Sequence, residues 1–308
     1  MYKFVLKRLG MMVPVLLGVM FVIFTITYIT PGDPATMILG EQALAEDIQA
    51  LRVELGLEAP FLVQFGRFVV NTFMLDFGPS FFTGRPVFTE ILARFPVTMH
   101  LAAMSVVVSV LIGIPLGILS ATKQYTIFDN GATIVGLLGV SIPNFWLGLM
   151  FILLFSVHLD WLPPSGFDTP LHWILPSFTI GISSAAIIMR MTRSSMLEVI
   201  RQDYIRTARA KGQKESNIIL NHALKNALIP VITIVGLQFG MLLGGAVLTE
   251  TIYAIPGLGR FMIDSNQRRD YPVMQYGVLM LAMTFSFINL VVDVLYAYVD
   301  PRIRSQYK

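Results

Sequence analysis

Six apolar stretches, each long enough to cross a lipid bilayer as a helix, recur from one end of the chain to the other. They cover about residues 9–30, 97–122, 132–158, 171–193, 228–250 and 275–298. Roughly 20 helical residues span the hydrocarbon core, and in lipid each backbone polar group must be satisfied within its own segment. Charged residues make up only 13% of the chain, about half the share found in soluble domains. The sequence therefore predicts an all-α polytopic membrane protein with six transmembrane helices.

The distribution of lysine and arginine predicts which segments face the cytoplasm. With a cytoplasmic N-terminus, 15 of the 22 Lys and Arg residues fall on the inside and seven on the outside. The positive-inside rule then places both termini in the cytoplasm, as an even number of spans requires. The expected divisions are an N-terminal tail and first span (1–30), an extracytoplasmic loop with amphipathic helices (31–96), a five-helix core (97–298) and a cytoplasmic tail (299–308).

The predicted extracytoplasmic loop is long enough to fold on itself. Apolar residues recur at helical spacing in its first half, at Leu44, Ile48, Leu51 and Leu55. Gly56 and Pro60 then mark a helix end and a helix start. Aromatic residues follow at Phe61, Phe65, Phe68 and Phe73, which suggests a segment at the membrane surface. Two interpretations remain, a docking surface for an outside partner and a cap packed over the spans, and the spacing favours the cap.

Several kinds of site are missing from the sequence. It has no GxxxxGK[ST] P-loop, no HExxH motif and no cysteine, and its four histidines are scattered. We therefore expect no catalytic residue, no metal site and no nucleotide bound by this chain. One carboxyl group falls deep in a predicted span, that of Asp293, four residues after Asn289. An intramembrane carboxyl group needs a partner or water; a proton relay and a structural role both remain open, and the structural role is favoured.

Glycines in the fifth predicted span recur at every fourth position, at Gly236, Gly240 and Gly244, and Gly113 and Gly117 repeat the spacing in the second span. Small residues at this spacing allow two helix backbones to approach closely. The pattern predicts tight helix packing, either within the chain or against another membrane subunit.

A polar, basic segment interrupts the apolar chain at 194–227. It cannot lie in hydrocarbon, because each basic residue would cost on the order of 3 kcal/mol at mid-bilayer. Tyr204–Lys211 is rich in helix formers, Gly212 is expected to stop that helix, and a second helix is predicted from about Lys214 to Pro230. The segment is either a surface helix at the cytoplasmic leaflet or a helix that docks on a cytoplasmic protein.

Two motifs in this segment resemble those of a known family. TARAKG (Thr207–Gly212) and HALKNALIP (His222–Pro230) resemble the EAA loop of ATP-binding-cassette (ABC) importer permeases, in the form typical of the dipeptide, oligopeptide and nickel subfamily. Arg206 and Lys225 stand where the general motif has glutamate and proline. Further stretches resemble that subfamily in the same order: PGDPA (31–35), DFGPS (76–80), ETIYAIPGLGR (250–260), RDYPV (269–273) and VDVLYAYVDPRIR (292–304).

The resemblance implies a type I importer permease in the cytoplasmic (inner) membrane of a bacterium or archaeon. Its implied partners are a second, homologous permease, two cytoplasmic ATPase subunits that bind ATP and Mg²⁺, and an extracytoplasmic solute-binding protein. The polar segment would be the helix that couples ATPase closure to transport. Its candidate residues are Asp203, Arg206, Ala208, Arg209, Lys211, Gly212, Glu215 and His222.

The implied function is passage of di- or oligopeptides through a pore of which this chain forms half. Glutathione or a nickel chelate is the alternative substrate within the same class. A stand-alone secondary transporter or channel, with Asp293 in an ion path, is a separate alternative. The residues that contact substrate are not indicated by the sequence.

Overall fold

The computed structural model describes residues 2–40 and 42–299, and helix dominates this part of the chain. Its α-helices are α1 (Tyr2–Ile29), α2 (Pro34–Leu39), α3 (Ala45–Glu54), α4 (Phe61–Phe73), α5 (Val87–Thr122), α6 (Ile127–Ser141), α7 (Asn144–Phe151), α8 (Ile174–Ile200), α9 (Asp203–Ala210), α10 (Glu215–Asn217), α11 (Leu224–Ile252), α12 (Leu258–Gln267) and α13 (Tyr271–Val299). Two π-helical turns, Ile152–His158 and Ile218–Ala223, and one 3₁₀ turn, Pro170–Trp173, connect them. The predicted tail at 299–308 lies, apart from Val299, outside the described residues.

Five helical segments are long and apolar enough to cross a membrane. They are Val5–Ile29, Val87–Thr122, Pro170–Ile200, Glu215–Ile252 and Tyr271–Leu295. Two of them extend further than their apolar runs predict. α5 begins about ten residues before the predicted span, and the segment that starts at Glu215 continues as helix through Pro230 to Ile252. The helix predicted at 214–230 therefore begins where expected, but its predicted end at Pro230 is wrong, because the helix continues to Ile252.

The third predicted span, 132–158, is not a straight helix. The structure has a pair of helical segments there, Ile127–Ser141 and Asn144–His158, which meet at an angle of 102°. The break lies at Ile142, whose extended backbone (φ −80°, ψ 124°) precedes Pro143. A residue before proline is driven away from the helical region, and proline has no N–H to donate. The count is thus five spans, or six if the bent pair is one span.

The chain packs as two compact units. We call Leu6–Thr98 with Pro256–Ser286 the first unit, and Met99–Ile255 with residues 2–5 and the described residues from Phe287 onward the second unit. In the first unit, aromatic side chains form the core. Phe24 of α1 stacks on Phe68 of α4 with ring centroids 5.7 Å apart, and Phe77 stacks on Tyr276 of α13 at 4.0 Å. Aromatic pairs of this kind contribute about 0.5–1.5 kcal/mol each beyond the area that they bury.

The predicted loop at 31–96 folds onto the helices of the first unit. Phe61, Phe65 and Phe68 pack into the aromatic core, whereas Phe73 is 70% exposed. The Asp270 carboxylate ties a further part of the loop down, since it accepts hydrogen bonds from the Ser80 hydroxyl and from the Phe81 amide (3.1 Å). This packing agrees with the cap interpretation rather than with a segment lying free on the membrane surface.

The second unit is organised around α8, which packs against α6, α7 and α11. Small residues bring α5 close to it: a Cβ atom at Gly113 would lie 2.7 Å from the Ala185 carbonyl oxygen. Polar side chains also join its helices. Gln238 of α11 donates to the Ser184 hydroxyl (3.1 Å), and the Tyr253 hydroxyl lies 2.9 Å from that of Thr179.

Candidate functional site

The polar segment predicted from the sequence forms a helix, a bend and the start of a long helix, all within the second unit. α9 spans Asp203–Ala210, four residues separate it from Glu215, and helix then continues without interruption to Ile252. α9 is thus separated by only four residues from the start of a helix long enough to cross the membrane. We refer to residues 203–226 as the coupling segment.

Glycine ends α9 through a specific hydrogen-bond pattern. Gly212 has a left-handed backbone (φ +74°), and its amide donates to the Arg209 carbonyl at 2.9 Å. The Gln213 amide reaches back to the Ala208 carbonyl at 3.4 Å. Together these two bonds form a Schellman motif, in which glycine is preferred because it has no Cβ atom to strain. A Cβ atom at Gly212 would meet nothing within 4 Å, so the requirement for glycine comes from the backbone and not from crowding.

One face of the coupling segment is apolar and buried. Ile205 of α9 and Ile218 and Ala223 beyond the bend are each fully buried. They form one cluster with Met196 of α8 and Ala121 of α5. α9 has a strongly one-sided distribution of apolar residues, and it uses that side to rest on the ends of α5 and α8. The segment is therefore a packed part of the fold rather than a mobile loop.

Polar side chains brace the bend from the outer side. Arg209 forms a two-pronged ion pair with Glu215, from Nε to Oε2 at 3.1 Å and from Nη2 to Oε1 at 2.6 Å. This hydrogen-bonded pair raises the pKa of Arg209 above its ordinary value. Both residues are among the candidates for polar contact with a partner ATPase. In the structure they bind each other, so a partner would meet them as a pair.

Three further hydrogen bonds cross or follow the bend, and sequence reasoning did not anticipate them. His222 Nε2 lies 2.8 Å from Gln213 Oε1, and the Asn226 side chain donates to the Tyr204 hydroxyl at 2.9 Å. The Asn217 amide group also donates to Gln213 Oε1, at 3.2 Å. Their only sequence signal was the density of amide side chains between residues 213 and 226. The Asn226–Tyr204 bond joins α9 to the long helix, and the other two bonds join the bend at Gln213 to that helix.

The remaining predicted residues of the coupling segment lie at its surface. Asp203 and Arg206 form an exposed pair with an N–O distance of 3.4 Å, and such pairs contribute little stability. Lys211 is exposed beside the open face of Gly212. Ala208 is half-buried against the apolar cluster. The structure thus places a charged outer surface on an apolar base, so the polar face of α9 is the one that remains available to a partner.

A buried ion pair lies next to the coupling segment. Arg193 of α8 donates two hydrogen bonds to Asp129 of α6, at 2.8 and 2.9 Å. The Asp129 carboxylate also accepts from the Ser120 hydroxyl and from the Tyr125 amide (2.9 Å). These contacts connect the end of α5, the following turn, α6 and α8. Sequence analysis considered only Asp293 as a carboxyl group inside a span and missed this pair.

The glycines of α11 lie in two different environments. A Cβ atom at Gly236 would overlap with Val292 of α13, so the two helices approach closely at that point. Gly240 is buried. Gly244 is exposed, and a Cβ atom there would meet nothing within 4 Å. A hydrogen bond between the side chains of Asn289 and Asp293, which are four residues apart, stays a prediction. The side-chain oxygen Oδ1 of Asn289 is buried without a partner among the described residues.

Comparison with known proteins relates this chain to a family of transport proteins. The sequence profile of the family described as "Binding-protein-dependent transport system inner membrane component" matches residues 113–305, and that of its N-terminal counterpart matches residues 1–102. The chain is 44% identical to the dipeptide transport system permease protein DppB of Alkalihalophilus pseudofirmus, over 99% of the chain and 100% of that protein. It is 45% identical to the glutathione transport system permease protein GsiC of Salmonella paratyphi A, over 99% of both.

A solved structure supports the fold independently. An inward-facing form of the MetNI methionine ABC transporter superimposes with a TM-score of 0.58 at 21% identity, over 68% of this chain and 96% of that one. At this identity the likeness shows the fold alone. The two profiles and the full-length relatives carry the assignment further: the chain belongs to the inner-membrane permease components of binding-protein-dependent transport systems.

Proposed function

We propose that this chain forms half of the translocation pathway of an ATP-driven importer, paired with a second, homologous permease. Di- or oligopeptides would reach the pathway from an extracytoplasmic solute-binding protein. The observation that supports this most directly is the coupling segment, a charged helix on an apolar base that continues into a long apolar helix. The names of the relatives point to peptide-like substrates, dipeptides in one case and glutathione in the other.

The geometry of the coupling segment suggests how ATP hydrolysis on other subunits would act on this chain. Two ATPase subunits would bind ATP and Mg²⁺, since the sequence of this chain offers no P-loop for a nucleotide, and α9 would sit in a cleft of an ATPase subunit. α9 is joined to the long helix by the Arg209–Glu215 pair and to α8 by the cluster around Ile205. A push on α9 would therefore move both helices together and alternate the access of the pathway.

Orientation and location follow from the same proposal. Lys and Arg are in excess in the segments that lie on the same side of the membrane as the N-terminus. By the positive-inside rule, this excess supports a cytoplasmic location for both termini and for the coupling segment. The protein would lie in the inner membrane of a bacterium or archaeon and cross it several times. Asp203, Arg206 and Lys211 would then face the ATPase, together with the Arg209–Glu215 pair, and Gly212 would allow its close approach.

Substitution of Gly212 tests the coupling role. Gly212→Val should reduce peptide-stimulated ATP hydrolysis and ATP-driven uptake in proteoliposomes severalfold, because a β-branched residue is strained at φ +74° and fills the open surface. Insertion and assembly should persist. Gly84→Val is the matched control, since Gly84 also has a left-handed backbone (φ +67°) and open space but lies in the first unit. Full coupling in Gly212→Val, or equal loss in both variants, would contradict the assignment.

Glutathione remains a second candidate substrate, because relatives named for its transport are as similar as those named for dipeptides. Uptake by the assembled transporter should be measured with a labelled dipeptide in competition with longer peptides, glutathione and a nickel chelate. The strongest competitor identifies the class. Uptake by this chain alone, driven by an ion gradient without ATPase subunits, would instead favour a secondary transporter.

A further inference from the structure

A groove lies between α5 and α6 in the second unit, with buried residues of α8 as its floor. Its volume is about 260 Å³, and every residue that lines it is apolar. Leu116 of α5 and Val135 of α6 stand on its walls, and small side chains, Ala185 and Ala186 of α8, leave space at its floor. Val135 is 59% exposed, so the groove opens at the surface of the spans. Neither the coupling mechanism nor the comparisons assign an occupant to it.

The size of the groove limits what can fill it. α5 ends at Thr122 and α6 begins at Ile127, so a turn of four residues joins them, and the Ser120 hydroxyl donates to the Asp129 carboxylate across that turn. The two helices are therefore held together at this end of the groove. An apolar cavity of about 150 Å³ stays dry and holds one benzene molecule. At 260 Å³ the groove has room for part of a hydrocarbon chain, but not for a helix about 10 Å wide.

A basic side chain lies in line with the groove, beyond the end that the turn closes. Lys123 follows Leu116 by seven residues, and Phe128 precedes Val135 by the same number. The Lys123 amide still donates to the Leu119 carbonyl (3.0 Å), which keeps Lys123 in the helical register of α5. Seven residues are close to two helical turns, so each pair shares one face of its helix and is about 10 Å apart. The Lys123 ammonium group lies 4.3 Å from the centroid of the Phe128 ring.

The turn presents one uncompensated positive charge. Lys123 is exposed, and Asp129, the only acidic residue between positions 120 and 130, is buried in its ion pair with Arg193. Tyr125 stands beside them with an exposure of 82% and a left-handed backbone (φ +64°), which the hydrogen bond from its amide to Asp129 holds in place. Exposed aromatic and basic residues just beyond a span are typical of the layer of lipid head groups.

We propose that the groove and the turn together bind one anionic phospholipid. Its phosphate group accepts from the Lys123 ammonium group, and one acyl chain lies in the groove about 10 Å further along. The turn offers no acceptor for the ammonium group of a zwitterionic head group, because Arg193 already occupies Asp129. Ala121, two residues before Lys123, packs in the apolar cluster under α9. The lipid therefore belongs to the leaflet next to the coupling segment, and this inference does not depend on the transported substrate.

Lipid retention tests the head-group contact. The full chain is purified from nanodiscs that contain equal amounts of phosphatidylglycerol and phosphatidylcholine with the same acyl chains, and the lipids that stay bound are counted by native mass spectrometry. Phosphatidylglycerol should be retained selectively. Lys123→Gln should lower its retention about fivefold, the weight of one basic residue at a membrane surface, and Lys123→Arg should preserve it. Lys214→Gln is the matched control, because Lys214 is an exposed lysine in the coupling segment, away from the turn.

A phosphatidylglycerol with a photoreactive group in mid-chain tests the groove itself, and it needs only the native chain. Cross-links should concentrate around Leu116, Val135 and Ile182, which line the groove. Val135→Trp should fill the groove and lower their yield severalfold, whereas Ile134→Trp should not. These two neighbours are equally exposed, at 59%, and only Val135 lines the groove.

Three results would overturn the proposal. The first is equal retention of phosphatidylglycerol by the native chain and Lys123→Gln. The second is cross-linking spread evenly over the exposed faces of the spans. The third is groove cross-linking that occurs in the isolated chain but disappears in the assembled transporter, because a partner subunit would then fill the groove.

Discussion

Replacing Arg193 with methionine should destabilise the protein by about 3 kcal/mol, because it leaves the Asp129 carboxylate buried without its cation. Arg193 supplies two of the four hydrogen bonds that Asp129 accepts, and the other two donors are neutral. The Asp129 side chain is 4% exposed, so water cannot replace the lost charge. The Arg193 side chain is 29% exposed, which places the expected loss at the lower end of the range of about 3–5 kcal/mol for broken buried pairs.

The partner substitution isolates the interaction. Asp129→Asn alone should cost about 1–2 kcal/mol, since the amide keeps one acceptor for Ser120 or the Tyr125 amide. The double variant should cost little more than Asp129→Asn, because a neutral residue at 129 no longer needs a cation. The sum of the two single effects should therefore exceed the effect of the double variant by about 2 kcal/mol. A coupling energy of this size is expected for residues in direct contact.

The free energies can be measured by unfolding the purified protein in mild detergent with increasing amounts of SDS, followed by helical circular dichroism. Arg190→Met is the matched control: Arg190 is exposed on the same helix, one turn earlier, and forms no ion pair within the described residues. It should change stability by less than about 0.5 kcal/mol. The reasoning fails if Arg193→Met costs under 1 kcal/mol, as a solvent-screened pair would, or if the two single effects simply add.

Two other perturbations test packing in the second unit. In the same unfolding assay, Gly236→Ala should cost about 1–3 kcal/mol by overpacking against Val292, whereas Gly244→Ala should be neutral. Combining Gly236→Ala with Val292→Ala should restore part of the lost stability. Equal effects at the two glycines would contradict this reasoning. Burial raises the pKa of Tyr253 to about 12. Its neutral hydroxyl, bonded to Thr179, therefore contributes stability that is complete below pH 10 and is lost as the pH rises towards 12. Tyr253→Phe should flatten the stability profile over that window, and an unchanged profile would refute it.

Local features of the structure were accessible from the sequence. The end of α9 could be predicted at Gly212, because the left-handed conformation that closes a Schellman motif is a property of a single residue type. The helix end near Gly56 and the helix start at Pro60 could likewise be predicted, because each depends on the backbone preference of one residue type. The break at Ile142–Pro143 was equally local but was missed, since the apolar run continues across it and hydrophobicity does not report backbone direction.

Features that join distant segments were not accessible. Asp129 and Arg193 are 64 residues apart in the chain, and the hydrogen bond between Gln275 and Thr27 joins residues that are 248 apart. A single sequence shows that each residue is polar but not which residue it meets. The pairing of Arg209 with Glu215 illustrates the limit at short range: both residues were identified, yet their mutual contact was not.

The amino-acid sequence alone specifies a helical membrane protein, because runs of some 20 apolar residues match the length of a membrane-spanning helix, which satisfies its backbone hydrogen bonds within its own segment. It also identifies the polar segment at 194–227 and its family motifs, because these are properties of neighbouring residues in the chain. Folding adds what depends on distance in space: the apolar base under α9 and the buried Asp129–Arg193 pair. These arise from side chains brought into contact by packing, which no local pattern records.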